Sequence, residues 1–290
     1  MHLDGKTELM GLIGYPLQHS LSPLMHNLTL KKMGLNYIYL ALEIEEGKLP
    51  EITSAIRTLN FRGLNVTIPY KEKIIPFLDE LSSEAAACGA VNVIKNENGR
   101  LQGYNTDGQG FVEALRDEGI DPAERALFIG AGGAARSVAF ALAGLGLSRL
   151  DFLDLDLARA RQLAELISSR SSSFASASLM NRFEFQRLSR TASIIINCSP
   201  VGMFPDIDKS PVSKEDLRGS RAVLCDLIYN PLQSRFLSWG QALGLETMNG
   251  LGMFVQQGAL TLEILLGQKP PLDYMKEVVQ DQLDKRVDPD

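Results

Sequence analysis

Cysteine is scarce in this 290-residue chain: Cys88, Cys198 and Cys225 are the only three. They form no C-x-x-C pair, and their wide separation suggests neither a zinc cluster nor a disulfide framework. An odd, sparse set suits a reducing compartment. A basic excess is also missing, with 29 Lys+Arg against 35 Asp+Glu, a net charge of −6 and a pI of about 5.3. Nucleic acid, which demands positive charge for its phosphates, is therefore not an expected partner. Long apolar runs are absent too. The longest, 138–147, is interrupted by Gly144 and Gly146, well short of the roughly 18 residues a membrane helix needs. The opening MHLDGKTELM places Asp4, Lys6 and Glu8 where a secretory leader needs a basic tip and an apolar core. A cytoplasmic protein is expected, with no membrane partner. His19 and His26 have no metal-ligand spacing with another histidine and are read as structural or surface residues, so no metal is expected.

What is present is alternation. With 45% hydrophobic residues the chain has length for two domains of about 100–200 residues, and apolar runs alternate with helical patterns, the signature of α/β architecture. Strands are expected at 9–14, 37–44 and 64–68. Helices are expected at 22–33 and 49–59, the first with Ser22 as its N-cap before Pro23 and Gly34 as its stop. Segments 91–95 and 101–105 flank Asn98-Gly99, a strong hairpin signal. A second unit opens near Arg125, with strands at 126–130, 150–155, 193–197 and 222–229 and helices at 134–145 and 158–167. The Ser/Ala-rich stretch 168–178 reads as a solvated connection. A helix at 253–266 is expected to return to the first domain, and 281–290 to fray. There is no internal repeat.

Gly130-Ala131-Gly132-Gly133-Ala134-Ala135 fits G-x-G-x-x-G/A after a predicted strand and before a predicted helix. Taken alone such a cluster is equally a plain turn. In that context it is a dinucleotide loop: Gly130 for the turn, Gly132 for close backbone approach to a pyrophosphate, and small Ala135 for helix–strand packing. The helix N-terminus adds partial positive charge. No Lys follows the glycines, so a Walker loop is excluded. The next strand ends in Asp154-Leu155-Asp156. A carboxylate there accepts the adenosine ribose hydroxyls and repels a 2′-phosphate, which favours NAD over NADP; its plain alternative is a strand end followed by a helix cap.

Polar residues gather outside the nucleotide unit. Ser20 and Ser22 stand at the mouth of a helix, where two neutral donors suit a carboxylate, although a simple cap explains Ser22 as well. Thr67 and Lys71 follow a strand, the place where open α/β sheets bind ligands. Asn92 and Asp107 add an amide and an acid. Together they read as a site for a small polyhydroxy acid, with one amine ready to move a proton.

The segments HSLSPLMHN, NVTIPYK, AVNVI, GYNTDGQG, GAGGAAR, NCSPVGM and GMFVQQG resemble, in order and spacing, the motif series of the shikimate dehydrogenase family across nearly the whole chain. The resemblance implies nicotinamide-dependent interconversion of 3-dehydroshikimate and shikimate in aromatic amino acid biosynthesis. It implies an α/β substrate domain at 1–108, a Rossmann domain at 109–249 and C-terminal helices at 250–290 that complete the first domain. By the same resemblance Ser20 and Ser22 bind the substrate carboxylate. Thr67, Lys71, Asn92, Asp107, Tyr229 and Gln257 surround the substrate hydroxyls, and Lys71 with Asp107 forms the catalytic pair. Gly130, Ala131, Gly132, Gly133 and Ala134 form the phosphate loop; Leu227 and Gly250 fall at the nicotinamide end. One departure stands out. NADP-specific members carry Asn-Arg-Thr where this chain has Asp154-Leu155-Asp156, a pattern more like the NAD-using quinate/shikimate branch. Retention of both serines argues for shikimate rather than quinate, because some quinate-preferring relatives replace one. A catalytically silent nucleotide-binding regulator on the same fold is disfavoured by Lys71 and Asp107. Oligomeric state is not legible.

Overall fold

Met10 to Gly14 form a fully buried run within β1 (Glu8–Gly14), which lies inside the first of two sheets. The computed structural model describes residues 3–45 and 47–287. After β1 come α1 (Ser22–Lys32), β2 (Tyr37–Glu43), α2 (Leu49–Thr58), β3 (Gly63–Val66), β4 (Glu80–Leu81), α3 (Ser83–Cys88), β5 (Val93–Glu97) and β6 (Arg100–Tyr104). The sheet order is β2-β1-β3-β5-β6-β4. Strands β1, β2 and β3 run parallel, while β5 runs against both β3 and β6; the β5–β6 hairpin closes through Asn98-Gly99, both at positive φ. One departure from expectation occurs at α1. Its N-cap is Leu21, and Ser22 is already helical with no capping hydrogen bond from a side chain. Pro at the first turn supplies the preset φ instead, which leaves the Ser22 hydroxyl uncommitted to the helix.

The second sheet follows α4 (Asp107–Asp117). It is built from β7 (Arg125–Ile129), α5 (Gly133–Gly144), β8 (Arg149–Asp154), α6 (Leu157–Arg170), β9 (Phe174–Leu179), α7 (Arg182–Ser189), β10 (Ile194–Asn197), β11 (Val223–Asp226), α8 (Arg235–Gln241) and β12 (Thr247–Met248). The order β12-β11-β10-β7-β8-β9 is parallel throughout, the doubly wound arrangement. Both faces are buried, so its central strands are continuously apolar rather than alternating. Ala126 and Phe128 of β7 pack with Val138, Leu142 and Phe152 on one face, while Leu127 and Ile129 pack with Leu153, Phe185 and Phe236 on the other. Each such fully buried large side chain stabilises by about 1.5–3 kcal/mol.

The stretch 168–178 is not a simple connection: α6 extends to Arg170, and Phe174–Leu179 is a strand paired with β8 from Arg149↔Phe174 to Asp154↔Leu179. As an edge strand it has one neighbour and only partly buried side chains, so serine and alanine suffice while backbone bonds hold it.

The last two helices are α9 (Leu251–Leu266) and α10 (Leu272–Val287). The expected fraying from 281 is also corrected, since α10 buries Met275, Val278, Val279 and Leu283 at helical spacing; 288–290 lie outside the described residues. The chain separates into two compact units. One contains the residues up to Thr106 together with those from Val255 onward, and the other runs from Asp107 to Phe254, so one division falls inside α9. Within the first unit the returning helices are tied in by polar bonds. Arg62 Nε donates to Leu265 O at 2.6 Å, and Asn65 Nδ2 to Thr261 Oγ1 at 3.0 Å.

Candidate active site

Strand directions bring the polar candidates of the first unit to one edge. β1 and β3 are parallel and end there; β5, running against β3, begins there; β6, running against β5, ends there. After β1 come Ser20, whose Oγ accepts the Ser22 N–H at 3.3 Å, and buried Ser22 itself. After β3 comes Thr67, whose N–H donates to Ile13 O at 2.9 Å and whose carbonyl accepts the Tyr70 N–H at 2.9 Å. That turn carries Lys71. Its backbone is fixed on both sides, by Tyr70, a buried ring whose hydroxyl donates to Ile44 O at 2.7 Å, and by the Val91 N–H, which donates to Lys71 O at 2.8 Å.

Asn92 precedes β5 and is buried. Its Nδ2 donates to Thr106 Oγ1 and its Oδ1 accepts the Thr106 N–H, both at 2.8 Å. Thr106 Oγ1 in turn donates to Gln257 O at 3.1 Å, the carbonyl that also takes the Thr261 hydroxyl at 2.9 Å. Behind this lie Tyr39, whose hydroxyl donates to Asn65 Oδ1 at 2.7 Å, and Asn65, whose Nδ2 also donates to Asn92 O at 3.1 Å. Sequence reasoning assigned no role to Thr106, Asn65 or Thr261. A polar residue inside the apolar strand β3 was the available signal for Asn65. Asp107 follows Thr106 directly as the buried first residue of α4, and belongs to the second unit.

In the second unit every strand points the same way, so the candidate nucleotide residues leave a single edge of that sheet. Gly130 takes φ +100°, a conformation side chains resist, and its N–H donates to Leu153 O at 2.7 Å. Asp154 Oδ2 accepts the Ala131 N–H at 2.6 Å and Oδ1 accepts the Asp156 N–H at 2.8 Å. Asp156 caps α6 by accepting the Ala158 and Arg159 N–H groups. Of the loop amides, Ala131 is therefore spent on Asp154. Gly132 caps α5, and a Cβ built on it would meet no atom within 4 Å. An open helix N-terminus with the Gly133 and Ala134 amides beyond it fits a pyrophosphate.

Leu227 follows β11, its N–H donating to Asn197 O at 3.0 Å. Gly250 packs against it so closely that a Cβ would lie 2.3 Å from Leu227 O. Tyr229 stacks on Phe254 with ring centroids 4.1 Å apart. Burial raises the Cys198 and Cys225 thiols well above their usual range, so neither is a ready nucleophile. Among the described residues no group of His, Cys, Asp and Glu could hold a metal, and no helix is long and apolar enough to cross a membrane.

A doubly wound sheet with a glycine loop, and a separate α/β unit whose sheet edge gathers hydroxyls, an amide and an amine, define a nicotinamide-dependent oxidoreductase acting on a CH–OH group. The family model for the shikimate dehydrogenase substrate binding domain matches residues 12–94, and that for the shikimate 5′-dehydrogenase C-terminal domain matches 250–280. A shikimate dehydrogenase (NADP(+)) of Syntrophomonas wolfei is 91% identical over 290 residues, covering 100% of both chains. The structure of shikimate 5-dehydrogenase from Listeria monocytogenes with shikimate and NAD is 35% identical, with a TM-score of 0.87 over 96% of this chain and 98% of that one. The enzyme from Thermus thermophilus with NADP(H) and shikimate is 36% identical, with a TM-score of 0.85 over 95% and 99%. The chain belongs to the shikimate dehydrogenase family.

Proposed function

We propose that this protein interconverts 3-dehydroshikimate and shikimate in aromatic amino acid biosynthesis, with the first unit as substrate domain and the second as dinucleotide domain. The observation that carries the reading is the shared sheet edge of the first unit, to which Ser20, Ser22, Thr67, Lys71 and Asn92 all come. Ser20 and Ser22 hold the substrate carboxylate through two hydroxyl donors. Thr67, Asn92, Tyr229 and Gln257 sort the ring hydroxyls. Lys71 takes the proton from the C3 hydroxyl in oxidation and returns it in reduction. Asp107 supplies the second group of the catalytic pair and binds a substrate hydroxyl. A bound nicotinamide dinucleotide supplies the hydride acceptor at C3. The chain's part is to hold that cofactor by the amides of Gly132, Gly133 and Ala134, with Gly130, Ala131, Leu227 and Gly250 shaping the surrounding backbone.

The relatives' names favour NADP. Asp154 supports NAD as a second reading, since its charge lies at the strand end where a 2′-phosphate would come. Three cysteines without a disulfide among the described residues suit a cytoplasmic enzyme. The test is formation of reduced nicotinamide from shikimate or quinate with either cofactor. Oxidation of shikimate is expected; no turnover of shikimate with either nicotinamide would overturn the reading.

A further inference from the structure

We infer that Asp226 is a positioning residue for the dinucleotide, acting through Asn197 to fix Ser199 beside the glycine loop. This rests on the dinucleotide half of the proposed function alone. Asp226 is the last residue of β11 and is fully buried. Its Oδ1 accepts Asn197 Nδ2 at 3.0 Å and the Ile228 N–H at 3.1 Å, and its Oδ2 accepts the Ser234 hydroxyl at 2.6 Å. Asn197, equally buried, passes the constraint on: its Oδ1 accepts both the Ser199 N–H at 3.1 Å and the Ser199 hydroxyl at 2.7 Å. Ser199 N lies 3.3 Å from where a Gly130 Cβ would stand, so its backbone abuts the phosphate turn. On the other side Ile228 O accepts the Gly250 N–H at 3.0 Å, and Leu227 is held to Asn197.

One carboxylate thus anchors the loops after β10 and β11 and, through Ile228, the turn at Gly250. Stability alone does not call for a charge here. The Asn197 amide, the Ile228 N–H and the Ser234 hydroxyl need an acceptor, and a neutral amide oxygen can serve them as well as an ionised one. What the carboxylate adds is direction, with two donors on one oxygen and a hydroxyl on the other. Burial also raises its pKa to about 6, and the neutral form still fits, because Ser234 Oγ can receive a hydrogen bond as well as give one. Asparagine satisfies the same geometry: its oxygen keeps Asn197 and Ile228, and its amide donates to Ser234.

The experiment compares Asp226→Asn with Asp226→Leu, titrating NADPH and NADH by nicotinamide fluorescence without substrate, then measuring KM for dinucleotide and shikimate. Asp226→Leu is expected to weaken dinucleotide binding about tenfold or more, the equivalent of ~1.4 kcal/mol, while raising the shikimate KM by clearly less, a smaller effect carried by Tyr229 on the same loop. Asp226→Asn is expected to restore near wild-type binding. Unchanged dinucleotide affinity in Asp226→Leu, equal impairment in Asp226→Asn, or a parallel rise in both KM values overturns the inference. If Asp226→Leu does not fold, Ser199→Ala removes the hydroxyl bond, the shorter of the two that join Ser199 to Asn197. A selective loss of dinucleotide affinity in that variant supports the inference, and wild-type affinity refutes it. Wild-type protein that binds dinucleotide yet oxidises no shikimate would sink the proposed substrate and leave this assignment standing.

Discussion

His26 should make the protein acid-labile in a way one substitution removes. Its ring is fully buried in α1, stacked on Tyr39 with centroids 4.3 Å apart, and neither nitrogen has a hydrogen-bond partner. Burial without a partner pushes the imidazole from its ordinary 6.5 down to about 3. Above pH 6.5 neither folded nor unfolded chain carries the proton, and His26 adds no pH dependence. Between 6.5 and about 3 the unfolded chain takes the proton and the folded one does not. Stability therefore falls with pH at about 1.4 kcal/mol per unit. The loss is about 2 kcal/mol at pH 5 and approaches ~5 kcal/mol at the acid limit, a large part of the ~5–15 kcal/mol that holds a domain folded. His26→Phe keeps a ring against Tyr39 and removes the titration. Urea melts followed by circular dichroism at pH 7.5, 6 and 5 should show wild type losing about 2 kcal/mol more than the variant across that range. Parallel profiles would refute the argument; if the larger ring is not accommodated, His26→Leu serves the same comparison.

Three further outcomes are expected. Lys71→Ala should lower kcat by about 10²–10⁴-fold with little change in the shikimate KM, and near-full turnover would remove Lys71 from the chemistry. Ser20→Ala and Ser22→Ala each delete a hydrogen bond to a charged group, worth about 1.5–3 kcal/mol, so the shikimate KM should rise about tenfold or more; unchanged values in both variants would place the carboxylate elsewhere. Asp154→Asn should shift the ratio of kcat/KM for NADP over NAD upward about tenfold, since like charges near a protein surface repel by ~1–4 kcal/mol. An unchanged ratio would show that Asp154 serves only to hold Ala131 and Asp156.

The central strands were legible because they are long or apolar and their punctuation is strong: Asn98-Gly99 for the hairpin, and Gly130 with its small neighbours for the nucleotide turn; the two-residue edge strands β4 and β12 are too short to carry any pattern. Strand β9 was not, because Phe-Ala-Ser-Ala-Ser-Leu has neither a sustained apolar run nor a wholly buried face, and its place is set by backbone pairing to β8. Ser22 looked like a cap because serine before proline commonly is one, whereas the helix starts one residue earlier in register. The polar support was the least visible part. Asn92 and Thr106 read as two separate polar residues until folding sets them 2.8 Å apart, and Asp226 looks in sequence like any acid ending a strand.

Bonds between residues far apart in the chain impose an order of assembly. Thr106 to Gln257, Asn65 to Thr261 and Arg62 to Leu265 all join the two ends of the polypeptide within the first unit. A nascent chain halted before 255 lacks all three bonds and the apolar cover that α9 and α10 bring to the first unit. The contiguous stretch from Asp107 to Phe254 has all its own strands by then. On the ribosome, the unit split between residues before 107 and after 254 is thus finished after the contiguous one.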